Sequence, residues 1–285
     1  MILVTGATGM FGGRVVRGLL EAGQPVRALV RDPAKAAELE SAGAELAVAD
    51  MDKAETLPSA LEGVERVFLV SPMDDRIQAR ETAVTAAAKD AGVDFVVKLY
   101  GAVKHHGDAL DALHRASIEA LRSSGMRWAL VSPNSVMETS LLSWAEPIKQ
   151  TGAIFGSAGD GKVGLIAADD AAASAVAVLF GDPECERNYE VTGPEALTSA
   201  DMAAALSRAL GKTITYNDMS DDDLRDLLVK YAGMTPEQAD IGVILHYQAW
   251  RRGDADLVTN TVEELTGRKP MSIDAWLPGH IDAFR

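Results

Sequence analysis

The sequence predicts a doubly wound α/β domain followed by a smaller α+β lobe, and three observations support this. Short β-branched runs alternate with longer Ala-rich amphipathic stretches over the first two-thirds of the 285 residues. A glycine-rich turn at residues 6–12 follows the first run directly. After Pro133 the alternation becomes irregular, and glycines gather between 152 and 164. A parallel sheet with helices on both faces, carrying a C-terminal lobe, accounts for all three.

Six strands are predicted in the first domain, enough to complete a doubly wound sheet. They lie near residues 1–5, 26–30, 45–49, 66–70, 94–100 and 127–131. The helices between them are predicted at 12–22, 54–62, 74–91 and 109–124. Four glycines are placed as C-terminal stops of these helices, Gly23, Gly63, Gly92 and Gly125.

Residues 1–150 are predicted to form the first domain, and residues 151–168 and 181–285 a substrate-capping lobe. An Ala-rich helix at 169–180 is expected to pack back on the first domain. The other predicted elements of this part of the chain are helices at 138–149, 198–210, 220–231 and 235–250 and strands at 188–192 and 213–217. The chain has no repeat or long linker, so the lobe should pack on the sheet.

Composition and charge argue against nucleic acid and membrane surfaces as partners. Lys plus Arg number 27 against 42 Asp plus Glu, and the net charge of −15 would repel phosphate backbones and anionic headgroups. Cys185 is the only cysteine, so no intramolecular disulfide can form and a reducing compartment is expected. We see neither a signal-peptide pattern nor an apolar run of the roughly 20 residues that a transmembrane helix needs. A cytoplasmic location is therefore expected, and the expected oligomeric state is a monomer or a homodimer.

The turn Gly6-Ala7-Thr8-Gly9-Met10-Phe11-Gly12 is predicted to bind a dinucleotide. The first glycine permits the tight turn, the second lets the backbone approach a pyrophosphate, and the third allows close packing of helix on strand. A purely structural strand-to-helix turn is the alternative. Because the motif follows an apolar strand and opens a helix, the first domain is predicted to be a Rossmann domain.

Arg31 indicates which dinucleotide is preferred. It stands directly after the second strand, where an acidic residue would bind the ribose 2′-hydroxyl of NAD. Arginine there suits a 2′-phosphate, although a solvated loop arginine is the alternative. Of its neighbours, Asp32 opposes a phosphate and Lys35 favours one. We predict NADP(H) as the cofactor, with NAD(H) possible.

Further cofactor contacts are predicted at the carboxyl ends of the strands, where such a sheet binds its ligand. Asp50 ends the third strand and could meet the adenine edge, although capping of the next helix is an equal alternative. The complete set of predicted cofactor residues is Gly6, Thr8, Gly9, Met10, Phe11, Gly12, Arg31, Asp50, Met51, Val70, Ser71, Pro72, Lys98 and Pro133.

Seven segments, in the order in which they occur, carry a resemblance to a known family. They are Gly6 to Gly12, Ala28-Leu29-Val30-Arg31-Asp32-Pro33, Val97-Lys98-Leu99, Ser124-Gly125-Met126-Arg127-Trp128, Pro133-Asn134, Asp170-Ala171-Ala172 and Tyr189-Glu190-Val191-Thr192-Gly193-Pro194. Over nearly its whole length the chain resembles the NmrA-like branch of atypical short-chain dehydrogenases, which includes quinone reductases and triphenylmethane-dye reductases. The resemblance implies the Rossmann fold and NADP(H) use.

The Tyr-x-x-x-Lys pair of typical short-chain dehydrogenases has a literal match at Tyr100 and Lys104, which we predict to be a decoy. In the working pair both residues share a helix, and the lysine lowers the phenol pKa. Tyr100 instead ends the predicted strand, so the helical spacing is absent. The resemblance places the family's catalytic lysine or histidine on His114 and its tyrosine on Leu110. The usual phenolic acid is therefore missing.

His114, Tyr100 and Asn134 are the catalytic candidates. His114 could donate a hydrogen bond to the nicotinamide ribose or a proton to a substrate oxygen, because its ordinary pKa of about 6.5 lies near neutrality. An exposed helix histidine is the alternative. Tyr100 could supply a phenol or place its ring in the lobe interface, and Lys98 shares its strand face. Asn134 could orient a carboxamide or a quinone carbonyl, or cap a helix.

No metal site is predicted. His105 and His106 lack a third ligand at useful spacing, so solvated loop residues are the simpler interpretation. Asp170 is expected to stabilise a helix N-terminus, and Ser220 with the acidic run 221–223 to begin a capped helix.

Two functions follow from the resemblance and from the missing tyrosine. The first is NADPH-dependent reduction of a quinone or another electron-poor aromatic compound, with a role in aromatic polyketide tailoring compatible with the composition. The second is a non-catalytic redox sensor like the regulatory NmrA proteins. A lobe of roughly 100 residues is more than dinucleotide binding requires, which favours the enzyme. Sugar-nucleotide epimerase chemistry is disfavoured because it depends on the absent phenolate.

Overall fold

Seven parallel strands form the main sheet of the computed structural model, which describes residues 1–101, 105, 107–181 and 183–285. They are β1 (Ile2–Val4), β2 (Val26–Val30), β3 (Glu45–Val48), β4 (Arg66–Leu69), β5 (Phe95–Leu99), β6 (Arg127–Pro133) and β10 (Arg187–Val191). Their order across the sheet is β10-β6-β5-β4-β1-β2-β3. The chain order therefore reverses between β1 and β4, which places the ligand-binding crevice of such a sheet at their carboxyl ends. The predicted doubly wound fold is confirmed.

Helices cover both faces of this sheet and enclose a core on each. They are α1 (Met10–Glu21), α2 (Ala37–Ser41), α3 (Leu57–Leu61), α4 (Ile77–Asp90), α5 (Ala109–Arg122), α8 (Ala168–Phe180) and α13 (Thr261–Thr266). Successive strand side chains point to opposite faces, so Val4 packs on the side of α1 and α8 whereas Leu3 packs on the side of α3 and α4. Helix α1 begins two residues earlier than predicted, because Gly9 is its N-cap.

The lobe contains two small sheets around a third core. Its strands are β7 (Ser135–Val136), β8 (Ala153–Gly156), β9 (Lys162–Ile166), β11 (Ala196–Thr198) and β12 (Thr215–Asp218), paired as β11-β9-β7 and β12-β8. Its helices are α6 (Met137–Ser140), α7 (Ala145–Thr151), α9 (Ser199–Leu210), α10 (Asp221–Ala232), α11 (Pro236–Ala239), α12 (Leu245–Arg252) and α14 (Ile273–Trp276). Short 3-10 turns occur in both parts of the chain. Those of the main domain are Pro33–Ala36 and Ala54–Thr56, and those of the lobe are Leu142–Trp144, Leu277–Gly279 and Ile281–Phe284.

The strand predicted at 188–192 belongs to the main sheet and not to the lobe. As β10 it pairs in parallel with β6, with Tyr189 opposite Val131 and Val191 opposite Pro133. The expectation of six strands is therefore wrong, and so is the assignment of all of 181–285 to the lobe. Alternating side chains identify a strand, but they do not say which sheet provides its neighbour.

Side chains before the predicted domain boundary at residue 150 pack in the core of the lobe. Met137, Trp144 and Ile148 are buried in the lobe core together with Ile154 and Trp276, so the chain enters the lobe directly after β6. The single helix predicted at 138–149 is divided into α6, a 3-10 turn and α7, and helical periodicity carried no information on its packing partner.

The helix predicted at 235–250 is interrupted. The structure divides it into α11, a π-helical turn at Asp240–Ile244, and α12. None of the described helices combines the length and the apolar character that crossing a bilayer requires.

Candidate cofactor and active site

A cavity of about 350 Å³ lies at the carboxyl ends of β1 to β4, where the strand order reverses. The glycine turn forms one wall, and residues that follow β2, β3 and β4 form the others. All the predicted cofactor residues except Lys98 and Pro133 line it. Asp52 and Arg80 also line it, and sequence reasoning missed both.

The glycine turn leaves space for a ligand, and for close packing of α1 on β1, only because Gly6, Gly9 and Gly12 lack side chains. A Cβ on Gly12 would lie 2.2 Å from the carbonyl oxygen of Gly6, so a larger residue would push α1 away from β1. Gly6 adopts a φ of +56°, which only glycine adopts readily. A Cβ on Gly9 would lie 3.1 Å from the same Gly6 oxygen. The turn is therefore a cradle that side chains would fill.

The start of α1 is suited to a phosphate. Gly9, its N-cap, offers no side chain to the first N–H groups, and the first turn contains no acidic residue. Helix N-termini carry unpaired N–H groups and a partial positive charge, which favour an anion. The cavity and the helix start together fit a dinucleotide pyrophosphate.

Arg31 is exposed at the rim of this cavity, and the nearby carboxylates are bound elsewhere. Asp32 accepts a hydrogen bond from the N–H of Ala34, 3.0 Å away, and begins the 3-10 turn after β2. Asp52 forms an ion pair with Arg80, with 2.6 Å between Oδ1 and Nε. No ion pair forms at Arg31 within the described residues. Its guanidinium is thus available to a phosphate.

Arg80 organises the far side of the cavity. Its guanidinium donates from Nε to Oδ1 of Asp52. Its Nη1 donates to both carboxylate oxygens of Asp74, at 2.8 and 2.9 Å. Hydrogen bonding and charge from Arg80 lower the pKa of Asp52. Asp50 does not cap a helix, because its carboxylate accepts the N–H of Asp52 at 3.0 Å. Nothing in the spacing of these residues along the chain indicates that they meet.

Tyr100 and His114 lie side by side beyond the end of β5. Their ring centroids are 5.2 Å apart in an edge-to-face arrangement. The Tyr100 hydroxyl donates to Asp111 Oδ1 at 3.0 Å, and burial, followed by the charge of Asp111, raises the pKa of Tyr100. The phenol therefore keeps its proton and directs it to Asp111. Lys104, the other half of the suspected motif, lies outside the described residues.

His114 is buried in α5, which rules out the exposed histidine considered above. Its Nδ1 lies 3.2 Å from Nζ of Lys98, and its Nε2 has no hydrogen-bond partner among the described residues. Burial, followed by the charge of Lys98, lowers the pKa of His114 to about 3. The expected titration near neutrality is therefore wrong, and the imidazole is neutral at ordinary pH.

Lys98 and Glu81 form a buried ion pair between the cavity and His114. The lysine is 0% exposed and the glutamate 1%, and Lys98 Nζ donates to Glu81 Oε2. The other carboxylate oxygen, Oε1, accepts the hydroxyl of Ser71 at 3.1 Å, and Ser71 lines the cavity. Lys98 thus faces Glu81 and His114, whereas we had predicted a cofactor contact.

Glu81 is the residue that sequence reasoning missed most clearly. It lies three residues before Val84 and seven before Ala88, on the buried stripe of α4. An acid on the apolar side of a helix is seldom buried without a partner, and this signal could have identified it.

Asn134 and Pro133 connect the main sheet to the lobe. Pro133 is buried at the end of β6, and the N–H of Asn134 donates to Val191 at 3.1 Å. The Asn134 side-chain amide donates to the carbonyl of Ala255 at 2.8 Å. The alternative of a helix cap is wrong, because the next helix, α6, has Val136 as its N-cap.

His105 also connects the two parts of the chain. Its Nδ1 lies 2.8 Å from Asp108 Oδ2, and its Nε2 lies 3.0 Å from Nδ1 of His246 on α12. His106 lies outside the described residues. Among the residues that the structure describes, no group of three or more His, Cys, Asp and Glu side chains could hold a metal ion.

Of the two residues predicted to act at helix starts, Ser220 makes a capping contact, whereas the carboxylate of Asp170 bonds a distant segment. Ser220 accepts the N–H of Asp223 at 3.1 Å and caps α10. Asp170 lies in the first turn of α8 and accepts the N–H of Met271 at 2.6 Å.

The sheet order, the glycine cradle and the uncapped helix together define a dinucleotide-binding protein of the Rossmann class. Comparison with known families specifies this further. The chain belongs to the NmrA-like family, whose model matches residues 1–250.

Similar proteins cover the chain almost end to end. It is 38% identical to an NAD(P)H azoreductase of Xenophilus azovorans, over 100% of this chain and 99% of that protein. It is 34% identical to quinone oxidoreductase 2 of Escherichia coli strain K12, over 85% of each. The crystal structure of an NADPH-dependent quinone oxidoreductase from Escherichia coli, complexed with NADPH, superposes with a TM-score of 0.92 at 28% identity, covering 99% of this chain and 100% of that one.

Proposed function

We propose that this chain is an NADPH-dependent reductase of a quinone or another electron-poor aromatic compound. The observation that carries the proposal is a glycine-lined cavity with an exposed arginine at its rim, linked through Ser71, Glu81 and Lys98 to a buried imidazole. The names of the similar proteins, an azoreductase and a quinone oxidoreductase that bind NAD(P)H or NADPH, support the same class of reaction.

The cofactor would be held by the cradle and its rim. The backbone around Gly9 and the start of α1 would bind the pyrophosphate, and Arg31 the 2′-phosphate. Bound NADPH supplies a hydride to the electron-poor ring of the substrate. The chain's own part is to orient the two reactants and to exclude water.

The acid requirement of this reaction matches the residues present. Hydride addition to a quinone yields a delocalised hydroquinone anion, which is a weak base and needs less acid catalysis than an alkoxide. His114, being neutral, can stabilise that oxygen by donating a hydrogen bond, without transferring a proton first. The Tyr100 proton is donated to Asp111, so the proposal assigns the phenol no role as the acid.

The lobe would cover the substrate. It begins directly after Pro133 at the carboxyl edge of the sheet, and the His105–His246 contact joins it to the segment between β5 and α5. We assign the substrate-capping role to the lobe residues from 134 onward, with β10, α8 and α13 returned to the Rossmann domain. We further propose a cytoplasmic location, on the basis of the single cysteine, and a monomeric or dimeric state.

Anaerobic NADPH oxidation against a panel of quinones and azo dyes tests the proposal. We expect at least one of them to be reduced with stoichiometric loss of NADPH absorbance. Binding of NADPH without turnover of any acceptor would contradict the proposal and favour a dinucleotide-binding redox sensor.

Cofactor preference should depend on Arg31. We expect NADPH to bind at least about tenfold tighter than NADH, ~1.4 kcal/mol, as one charge-assisted contact can supply. Calorimetry on both cofactors should show that Arg31→Ala removes the difference, while Lys89→Ala, which removes an exposed positive charge outside the cavity, serves as the matched charge control. Equal affinities in the wild-type protein would disprove the assignment.

His114 should matter more to turnover than Lys104. We expect His114→Ala to lower kcat/KM by about 10- to 100-fold, since a hydrogen-bond donor to the product oxygen is lost. His114→Gln, whose amide can still donate, should lose less. Lys104→Ala should change kcat/KM little. If Lys104→Ala abolishes turnover and His114→Ala does not, Tyr100 and Lys104 form the working pair.

A further inference from the structure

We propose that Lys98 and Glu81 are positioning residues that hold the proton of His114 on Nε2, so that this nitrogen acts as a hydrogen-bond donor to the substrate oxygen. The donor role rests on the proposed function, whereas the position of the proton does not.

The contacts around Lys98 determine which nitrogen carries the proton. An ammonium group has three donors and no acceptor. Its neighbours are Glu81 Oε2, His114 Nδ1 at 3.2 Å and, more weakly, the Leu99 carbonyl at 3.5 Å, and an ammonium can only donate to each of them. Nδ1 of His114 must therefore accept, and a neutral imidazole that accepts at Nδ1 carries its proton on Nε2.

Glu81 is needed to keep Lys98 in this state. Burial disfavours the charged amine and lowers the pKa of Lys98, and Glu81 is the group that opposes this effect. Without the carboxylate, Lys98 would tend to lose a proton, and its nitrogen could then accept a hydrogen bond from His114. Ser71 fixes the other oxygen of Glu81, so the chain of contacts begins at the cofactor cavity.

The other charged groups around His114 do not impose this tautomer. Asp111 on the same helix favours protonation of the imidazole, and its carboxylate is bonded to Tyr100 and Arg115. The charge of His105, on the segment after β5, disfavours protonation of the His114 imidazole, as the charge of Lys98 does. Only Lys98 contacts a ring nitrogen among the described residues.

The second ring nitrogen of His114, Nε2, indicates that a ligand binds here. Nε2 of His114 is buried and makes no hydrogen bond to the residues that the structure describes. A buried N–H donor without an acceptor costs free energy, and such groups are rare in native proteins except where function requires them. A substrate oxygen would supply the missing acceptor.

Nitrogen-15 NMR of the histidine rings tests the proposal without any turnover. Long-range proton–nitrogen correlation distinguishes a protonated ring nitrogen from a bare one, and His114→Gln identifies the signal. We expect the wild-type His114 to show a bare Nδ1 and a protonated Nε2, unchanged from about pH 5 to about pH 9. A proton on Nδ1 in the wild-type protein would overturn the proposal.

The double variant Lys98→Met, Glu81→Met removes both positioning residues without leaving a buried charge. We expect His114 to become a mixture of tautomers and its pKa to rise, and kcat on a reducible quinone to fall about tenfold. Lys89→Met, on the exposed surface of α4, is the matched control. An unaltered tautomer in a folded double variant contradicts the positioning role. Failure of the wild-type protein to reduce any quinone contradicts the proposed function alone.

Discussion

Substitution of Gly9 by valine is expected to abolish NADPH binding while the protein remains folded. Gly9 lines the cavity and is exposed, and its backbone angles, φ −90° and ψ 177°, are open to any residue. The variant should therefore fold, with its side chain filling the cradle between backbone and pyrophosphate. We expect the affinity to fall by at least about 100-fold, or ~2.7 kcal/mol.

Calorimetric titration with NADPH, together with thermal unfolding, measures this effect. Gly9→Ala should fall between the wild type and the valine variant, because a single methyl group intrudes less. Gly279→Val is the control, since a Cβ there meets no atom within 4 Å and the residue lies outside the cavity. Tight NADPH binding by a folded Gly9→Val protein would mean that the turn is only structural.

Removal of one partner of the Lys98–Glu81 pair should have the largest effect on stability. Lys98→Met leaves the Glu81 carboxylate buried without its partner, and Glu81→Met does the same to the Lys98 ammonium. Breaking a buried pair in this way costs about 3–5 kcal/mol. Each single variant is expected to lose that much free energy of unfolding, measured in urea at neutral pH.

The double variant should recover most of this loss, because methionines in place of a buried ion pair leave no charge to desolvate. A double-mutant cycle gives the coupling free energy directly. Additive losses, with the double variant the least stable of the three, would show that the two side chains do not depend on each other.

The sequence predicted the Rossmann half closely for a physical reason. Most residues of its strands are buried and apolar, and β2, in which only Arg27 is polar, was predicted with both its ends correct. The cavity could be predicted for the same reason, because the carboxyl ends of parallel strands meet at one edge. The positions of Arg31 and Ser71 at the cavity could be predicted from the ends of β2 and β4 alone.

The remaining features depend on contacts between distant parts of the chain. Glu81 acquires its role from Lys98, on another element, and Asp52 meets Arg80 although the two are 28 residues apart. The pKa of His114 was misjudged because burial is a property of the folded chain and not of one helix. The π-helical turn before α12 likewise has no periodicity signal.

The place of β10 has a consequence for biosynthesis. While the ribosome is still making the lobe, β6 has no neighbour on its outer side, and its residues Arg127–Pro133 are almost all apolar and buried in the finished protein. An unpaired apolar edge invites pairing between chains. β10, which carries Arg187 and Glu190, later covers that edge with a shorter and more polar strand. A truncated chain that ends at residue 150 is therefore expected to aggregate during expression, even though it contains the whole glycine turn.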